Sequence, residues 1–186
     1  MAGWAMSRHG VVRAAVAMVL FFLALLLANR GLPEYSHLLH PVALRGATGL
    51  PGALWFNLGA FVLPGLLLVW VGQSLRDAWV DAGWLARIGC VLAQLSALAF
   101  ALQGVLPLDQ RGLDATASRL HVLLWMLWWI AFVPGVLLLA LAHEYWVLLA
   151  GAMLIGIGSA VFHPESSRVA GVASGDVAGL VDNIRD

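Results

Sequence analysis

The chain has 186 residues, 62% hydrophobic and only 11% charged, with a mean hydropathy of +0.91. Soluble domains carry roughly 25% charged residues, so this composition excludes an ordinary water-soluble globule and points to lipid as solvent. Ten basic and ten acidic residues cancel, which excludes the basic footprint of a nucleic-acid-binding protein. Every basic residue is arginine, a usage expected of a GC-rich bacterial coding sequence. The single cysteine, Cys90, lies in an apolar run and reads as a small buried hydrophobe.

About 20 consecutive apolar residues cross a bilayer core as a helix. Five such runs occur: residues 11–29, 53–72, 84–106, 120–141 and 145–162. They are continuous rather than alternating, which excludes a barrel and predicts an all-α, polytopic transmembrane bundle within residues 1–164. The first run follows Arg8 and Arg13 and lacks a small-x-small cleavage site, so an uncleaved anchor is expected. Trp84, Tyr145 and Trp146 stand at span ends, where amphipathic rings favour the interface. Residues 165–186 are polar, with apolar positions at roughly helical spacing, and are expected to form a polar or amphipathic tail. The expected location is the bacterial inner membrane, multi-pass, with the amino terminus inside. The dominance of the first span sets that orientation, although more arginines fall on the opposite side.

A near-repeat joins the first four spans into two similar hairpins. The second span contains AFVLPG, Ala60 to Gly65, and the fourth contains AFVPG, Ala131 to Gly135. A Leu-Pro pair precedes each, at Leu32-Pro33 and Leu106-Pro107, and a histidine-bearing segment follows each pair. The offset of about 70 residues would give a parallel repeat; convergence on Leu, Val and Pro-Gly is the plainer alternative. Pro64 and Pro134 each remove a backbone donor inside a helix, so both spans are expected to kink.

Sorting the polar residues by side places most of them on one face. The first loop holds Glu34, His37, His40 and Arg45; the third holds Asp109, Arg111, Asp114 and Arg119, with His121 entering the fourth span. Asn57 and Gln103 lie inside their helices near that face, and Trp125, Trp128 and Trp129 add an aromatic surface. Polar groups at membrane depth default to a functional reading. Asp109 and His121, with Glu34 opposing, have the composition of a carboxylate–imidazole acid–base set, against the plainer reading of a loop-fixing network. Asn57, Gln103 and Trp125 are the candidate ligand-binding residues. Glu34, His37 and His40 have an E-x-x-H-x-x-H spacing that a helix would align, and His37 and His40 are the candidate metal ligands. No organic cofactor is expected; a metal ion is the one cofactor these residues would accommodate.

The stretch GLPEYSHLLHPVALRGATGLPGALWFN, the LPG of the second span, and LQGVLPLD followed by RLHVLLWML resemble the domain-of-unknown-function 998 family of multi-pass prokaryotic membrane proteins. The resemblance covers about Gly31 to Gly135. It implies a helical membrane fold and marks Asn57, Asp109 and His121, but brings no established activity. Family members look like six-span proteins, and here a charged tail stands where a sixth span would. The leading expectation is therefore a non-enzymatic subunit of a membrane complex or a lipid-like-ligand-binding protein. Its expected partners are the bilayer, a membrane protein or a second copy, and a lipid-like ligand. The competing expectation is a small intramembrane enzyme acting on a lipid or isoprenoid through acid–base or metal-assisted chemistry.

Overall fold

Straight runs of Leu, Ala, Val and Phe satisfy their own backbone only as helices once water is absent. The computed structural model describes residues 7–36, 40–109 and 115–143, and every long element in them is helical. Helix α1 spans Arg8–Leu26, capped by the Ser7 hydroxyl, which accepts from the Gly10 amide at 3.1 Å. A single turn, α2 (Val42–Arg45), interrupts the first loop. The second span is one continuous helix, Ala53–Ala78, made of α3 (Ala53–Asn57), a π-helical turn (Leu58–Val62) and α4 (Leu63–Ala78). Helix α5 spans Trp84–Val105 and α6 spans Thr116–His143. Among the described residues four helices are thus long and apolar enough to cross a membrane, and the chain is a polytopic helical membrane protein. The predicted fifth span and the tail lie outside the described residues.

The spans pack in chain order. Helix α1 lies against the second span, the second span against α5, and α5 against α6. Large side chains such as Leu26, Trp55 and Trp84 face outward, 78%, 76% and 68% exposed. In water these would be an aggregation liability; in a bilayer they are the lipid face.

Phe100, on α5, is the hub of the interior. Its ring lies 6.1 Å from Phe21 of α1, 5.2 Å from Phe61 of the second span and 5.7 Å from Trp128 of α6. One side chain therefore touches an aromatic partner on each of the other three spans. Close backbone approach flanks it. A Cβ at Gly65 would sit 2.6–2.8 Å from Ala101, and one at Gly135 would sit 3.1 Å from the Ala93 amide. The Pro-Gly glycines of the two similar spans thus both abut α5, the small-residue packing that brings helices together in lipid.

The two prolines behave differently. Pro64 follows the π-helical turn, whereas α6 runs through Pro134 without a break. The sequence difference accounts for this: AFVLPG has one residue more than AFVPG. A π turn absorbs one extra residue without rotating the rest of the helix, and it widens the backbone where a proline ring meets the carbonyl four residues before it. The break expected at Pro64 therefore takes the form of a π turn.

Two outcomes are expected in detergent. Deleting Leu63 removes the extra residue and should lower the thermal midpoint far less than deleting Leu67, which lies in regular helix. Phe100→Ala should cost about 1–3 kcal/mol, the packing and ring–ring share of an aromatic truncation, again read from thermal unfolding.

Candidate functional site

Carbonyls at and just past a helix end have no intrahelical donor, and α1 and α5 are each followed by a turn that carries a Leu-Pro pair. In the turn after α1, Arg45 answers. Its Nε donates to the Ala28 carbonyl and its Nη2 to the Arg30 carbonyl at 3.4 Å, with the guanidinium 5.6 Å over the Phe56 ring. At the end of α5, His121 answers. Its Nδ1 lies 2.8 Å from the Leu106 carbonyl, which can only accept, so Nδ1 carries the proton.

Further bonds join these two caps into one clamp. Asn57 Nδ2 donates to the Gly46 carbonyl at 2.8 Å, and any Cβ at Gly46 would overlap that amide. The Thr48 amide and hydroxyl both donate to the Leu108 carbonyl, at 2.8 and 3.1 Å. The Asp109 amide donates to Ser118 Oγ at 3.0 Å, and that hydroxyl donates back to the Asp109 carbonyl at 3.4 Å. The first loop is thereby tied to the α5–α6 junction, and Asn57, Asp109 and His121 belong to one connected structure. Arg45, Asn57, Ser118 and His121 are all buried.

Among the described residues, Arg45 Nη1 and Gln103 Nε2 are buried donors without a partner at this end, and Trp129 Nε1 on α6 is another. Burial pushes the Arg45 guanidinium below its usual range, with nearby Tyr35 acting in the opposite direction. Tyr35 is itself pushed up to about 12, first by burial, with Arg45 pulling the other way. Its ring stacks on His40 at 5.8 Å.

The remaining candidates fall as follows. Glu34 is exposed in a turn, and Tyr35 and Ser36 after it are not helical. His37 lies outside the described residues. His40 Nδ1 accepts from the Ser36 amide at 3.1 Å, which occupies one of its two ring nitrogens. Among the described residues no three His, Cys, Asp or Glu side chains gather as metal ligands. Trp125 stacks edge-on against Trp129 at 6.4 Å on α6.

Sequence reasoning passed over Arg45, Ser118 and Thr48. Arg45 had a signal: it is the only Arg, Asp or Glu between Glu34 and Arg76. A lone charge amid apolar residues is one that the fold must satisfy. A second polar cluster lies at the opposite end. There Arg13 Nη1 donates to Ser74 Oγ at 3.0 Å and lies 4.5 Å over Trp70. Gln94 bridges inward to Gln73 at 3.2 Å and accepts from Arg76 at 3.1 Å.

Removing the α5 cap, as His121→Ala, should destabilise the protein by about 1–3 kcal/mol, because a buried carbonyl loses its donor; thermal unfolding in detergent reads this. Tyr35 gives a pH signature. Its folded value of about 12 exceeds the ordinary 10.0, so its contribution is fully present below pH 10.0 and is lost as pH rises towards about 12. The thermal midpoint should therefore fall across that window, and fall less in Tyr35→Phe.

No family model and no solved structure matches the chain. Two curated proteins are similar over 50 residues each, 27% of this chain. The fosmidomycin resistance protein of Escherichia coli (strain K12) is 56% identical there, and the uncharacterized MFS-type transporter YfnC of Bacillus subtilis (strain 168) is 48% identical. The chain spans about 12% of the length of either relative.

Proposed function

We propose that this chain is a non-enzymatic, multi-pass protein of the bacterial inner membrane, acting as a subunit of a membrane complex or as the binder of a lipid-like ligand. The observation that carries this reading is where the polar side chains go. Arg45, Asn57, Thr48, Ser118 and His121 hold backbone carbonyls and amides of the chain itself. Such a face fixes hairpins and offers a firm surface. The resemblance to the domain-of-unknown-function 998 family supports the same reading, since it marks residues that serve this clamp.

The acid–base alternative keeps Asp109 and His121 at one junction and needs the His121 imidazole itself. The two readings separate on His121→Gln, whose amide keeps a donor for the Leu106 carbonyl but cannot act as a base near neutral pH. The scaffold reading expects near-wild-type stability and retained association with whatever co-purifies. Purification from native membranes in mild detergent, with protein and lipid mass spectrometry, provides the measurement. A chain that emerges alone, with neither a partner polypeptide nor a lipid-like molecule, would overturn the proposal.

A second reading, a part in transport, rests on the 50-residue likeness to the MFS-type transporter relative and to the fosmidomycin resistance protein. The polar chain from Gln73 through Gln94 to Arg76, between the second and third spans, is the feature it would use. Expression in Escherichia coli under fosmidomycin probes it through the relative's own named trait. An unchanged inhibitory concentration removes that version of the reading.

A further inference from the structure

At the end of the bundle opposite the clamp, the turn between α4 and α5 encloses a cleft of about 330 Å³. Its lining combines two chemistries. Arg76 and Arg87 supply positive charge, and Val80, Val91, Trp79 and Cys90 supply apolar surface. Trp79 and Cys90 are buried, 6% and 1% exposed, and form part of the second apolar core beneath it. Val80 and Val91 are 60% and 49% exposed, so the apolar walls are open to the surroundings.

Both guanidiniums retain unused donors. Arg76 Nη1 donates to Gln94 Oε1, and Arg87 Nη2 to the Val80 carbonyl at 2.7 Å. A guanidinium has five N–H groups, so most of each remains available. Among the described residues no carboxylate pairs with either arginine. Asp77, the nearest acid in sequence, instead accepts from Gln73 Nε2 at 2.8 Å. The Gln94 bridge fixes Arg76 to α5, and the Val80 carbonyl fixes Arg87 to the turn after α4, rather than leaving them to swing in solvent.

We propose that this cleft holds the phosphate headgroup of an anionic membrane lipid. Arg76 and Arg87 grip the phosphate, and Val80 and Val91 lie against the glycerol and the first methylenes of the chains. Charge complementarity argues for an anion, since among the described residues neither guanidinium is paired with a carboxylate, although Asp77 and Asp81 stand nearby in the chain. The open apolar wall argues for a lipid rather than a free ion. A soluble phosphate gains nothing from Val80 and Val91, whereas a lipid satisfies both halves of the cleft at once. The depth is right as well: the cleft lies at the junction of two spans, where headgroups reside. This site is separate from the clamp, and where the proposed function is the binding of a lipid-like ligand it names a place and a headgroup for that ligand.

Native mass spectrometry of the full chain tests this, after exchange into micelles holding phosphatidylglycerol or phosphatidylcholine with identical acyl chains. Phosphatidylglycerol should be retained in preference to phosphatidylcholine. The double variant R76Q/R87Q should reduce that retention roughly tenfold, whereas R30Q, an exposed arginine at the opposite end, should leave it unchanged. Val80→Asp, which puts a carboxylate on the exposed wall without touching the core, should also reduce it and decides the matter if the double variant fails to fold. Equal retention of the two lipids, or unchanged retention in both cleft variants, overturns the proposal. Displacement of the lipid by millimolar inorganic phosphate alone would reassign the cleft to a free anion, and so overturns it too.

Discussion

The polar end of this protein is organised around carbonyls in the turn after α1 and at the C-cap of α5. Both helices stop before a Leu-Pro turn, where the chain's carbonyls have no intrahelical donor. The donors come from farther along the chain, Arg45 after the first helix and His121 after the third. Each donor therefore does two things at once: it satisfies a carbonyl beyond a helix end and draws the returning chain onto the outgoing one. Asn57 and Thr48 then bind the first loop to its neighbours, so the two hairpins share one closure. Beneath it Phe56 stacks on Phe61, and Phe61 on Phe100, continuing the contact into the bundle's interior.

The near-repeat gains physical content from its one irregularity. A π-helical turn directly precedes the extra Leu63, and the glycine after each proline abuts α5 in both hairpins. The extra residue is absorbed locally, so Phe61 on one side and Gly65 on the other both keep their contacts with α5. A regular helix would have rotated one of them away by about 100°.

Much of the architecture was legible because apolar run length is set by bilayer thickness and needs no tertiary information. The limits of that signal show in the second span. Hydropathy ends near Gly72, yet the helix continues to Ala78, because Gln73 and Asp77 bond one turn apart along its polar extension. Hydropathy registers what the solvent favours and is blind to a helix that leaves the lipid still hydrogen-bonded. Arg45 illustrates the same limit in reverse. As a letter it is a loop charge, and only the fold shows it buried against two carbonyls and a ring. In the sequence His121 and Asn57 suggest chemistry, whereas in the fold each bonds a backbone carbonyl. A residue type and its depth say that a polar group must be accommodated; the partner's identity decides whether it supports the fold or works on a ligand.

That distinction separates the two ends of the bundle. A buried polar group in lipid is expensive, and the usual inference is that function retains it. At the clamp the partners are the protein's own backbone, so the cost is offset within the fold and no outside molecule is required to explain most of it. Arg45 Nη1 and Gln103 Nε2 are what remains over. At the other end the balance is reversed. Arg76 and Arg87 are exposed, held in place by one bond each, and stand beside open apolar walls with most of their donors unassigned. The residues that look most like a site in the sequence are thus the ones the structure itself uses. The arginines that a topology count treats as orientation signals are the ones left facing outward with chemistry to offer.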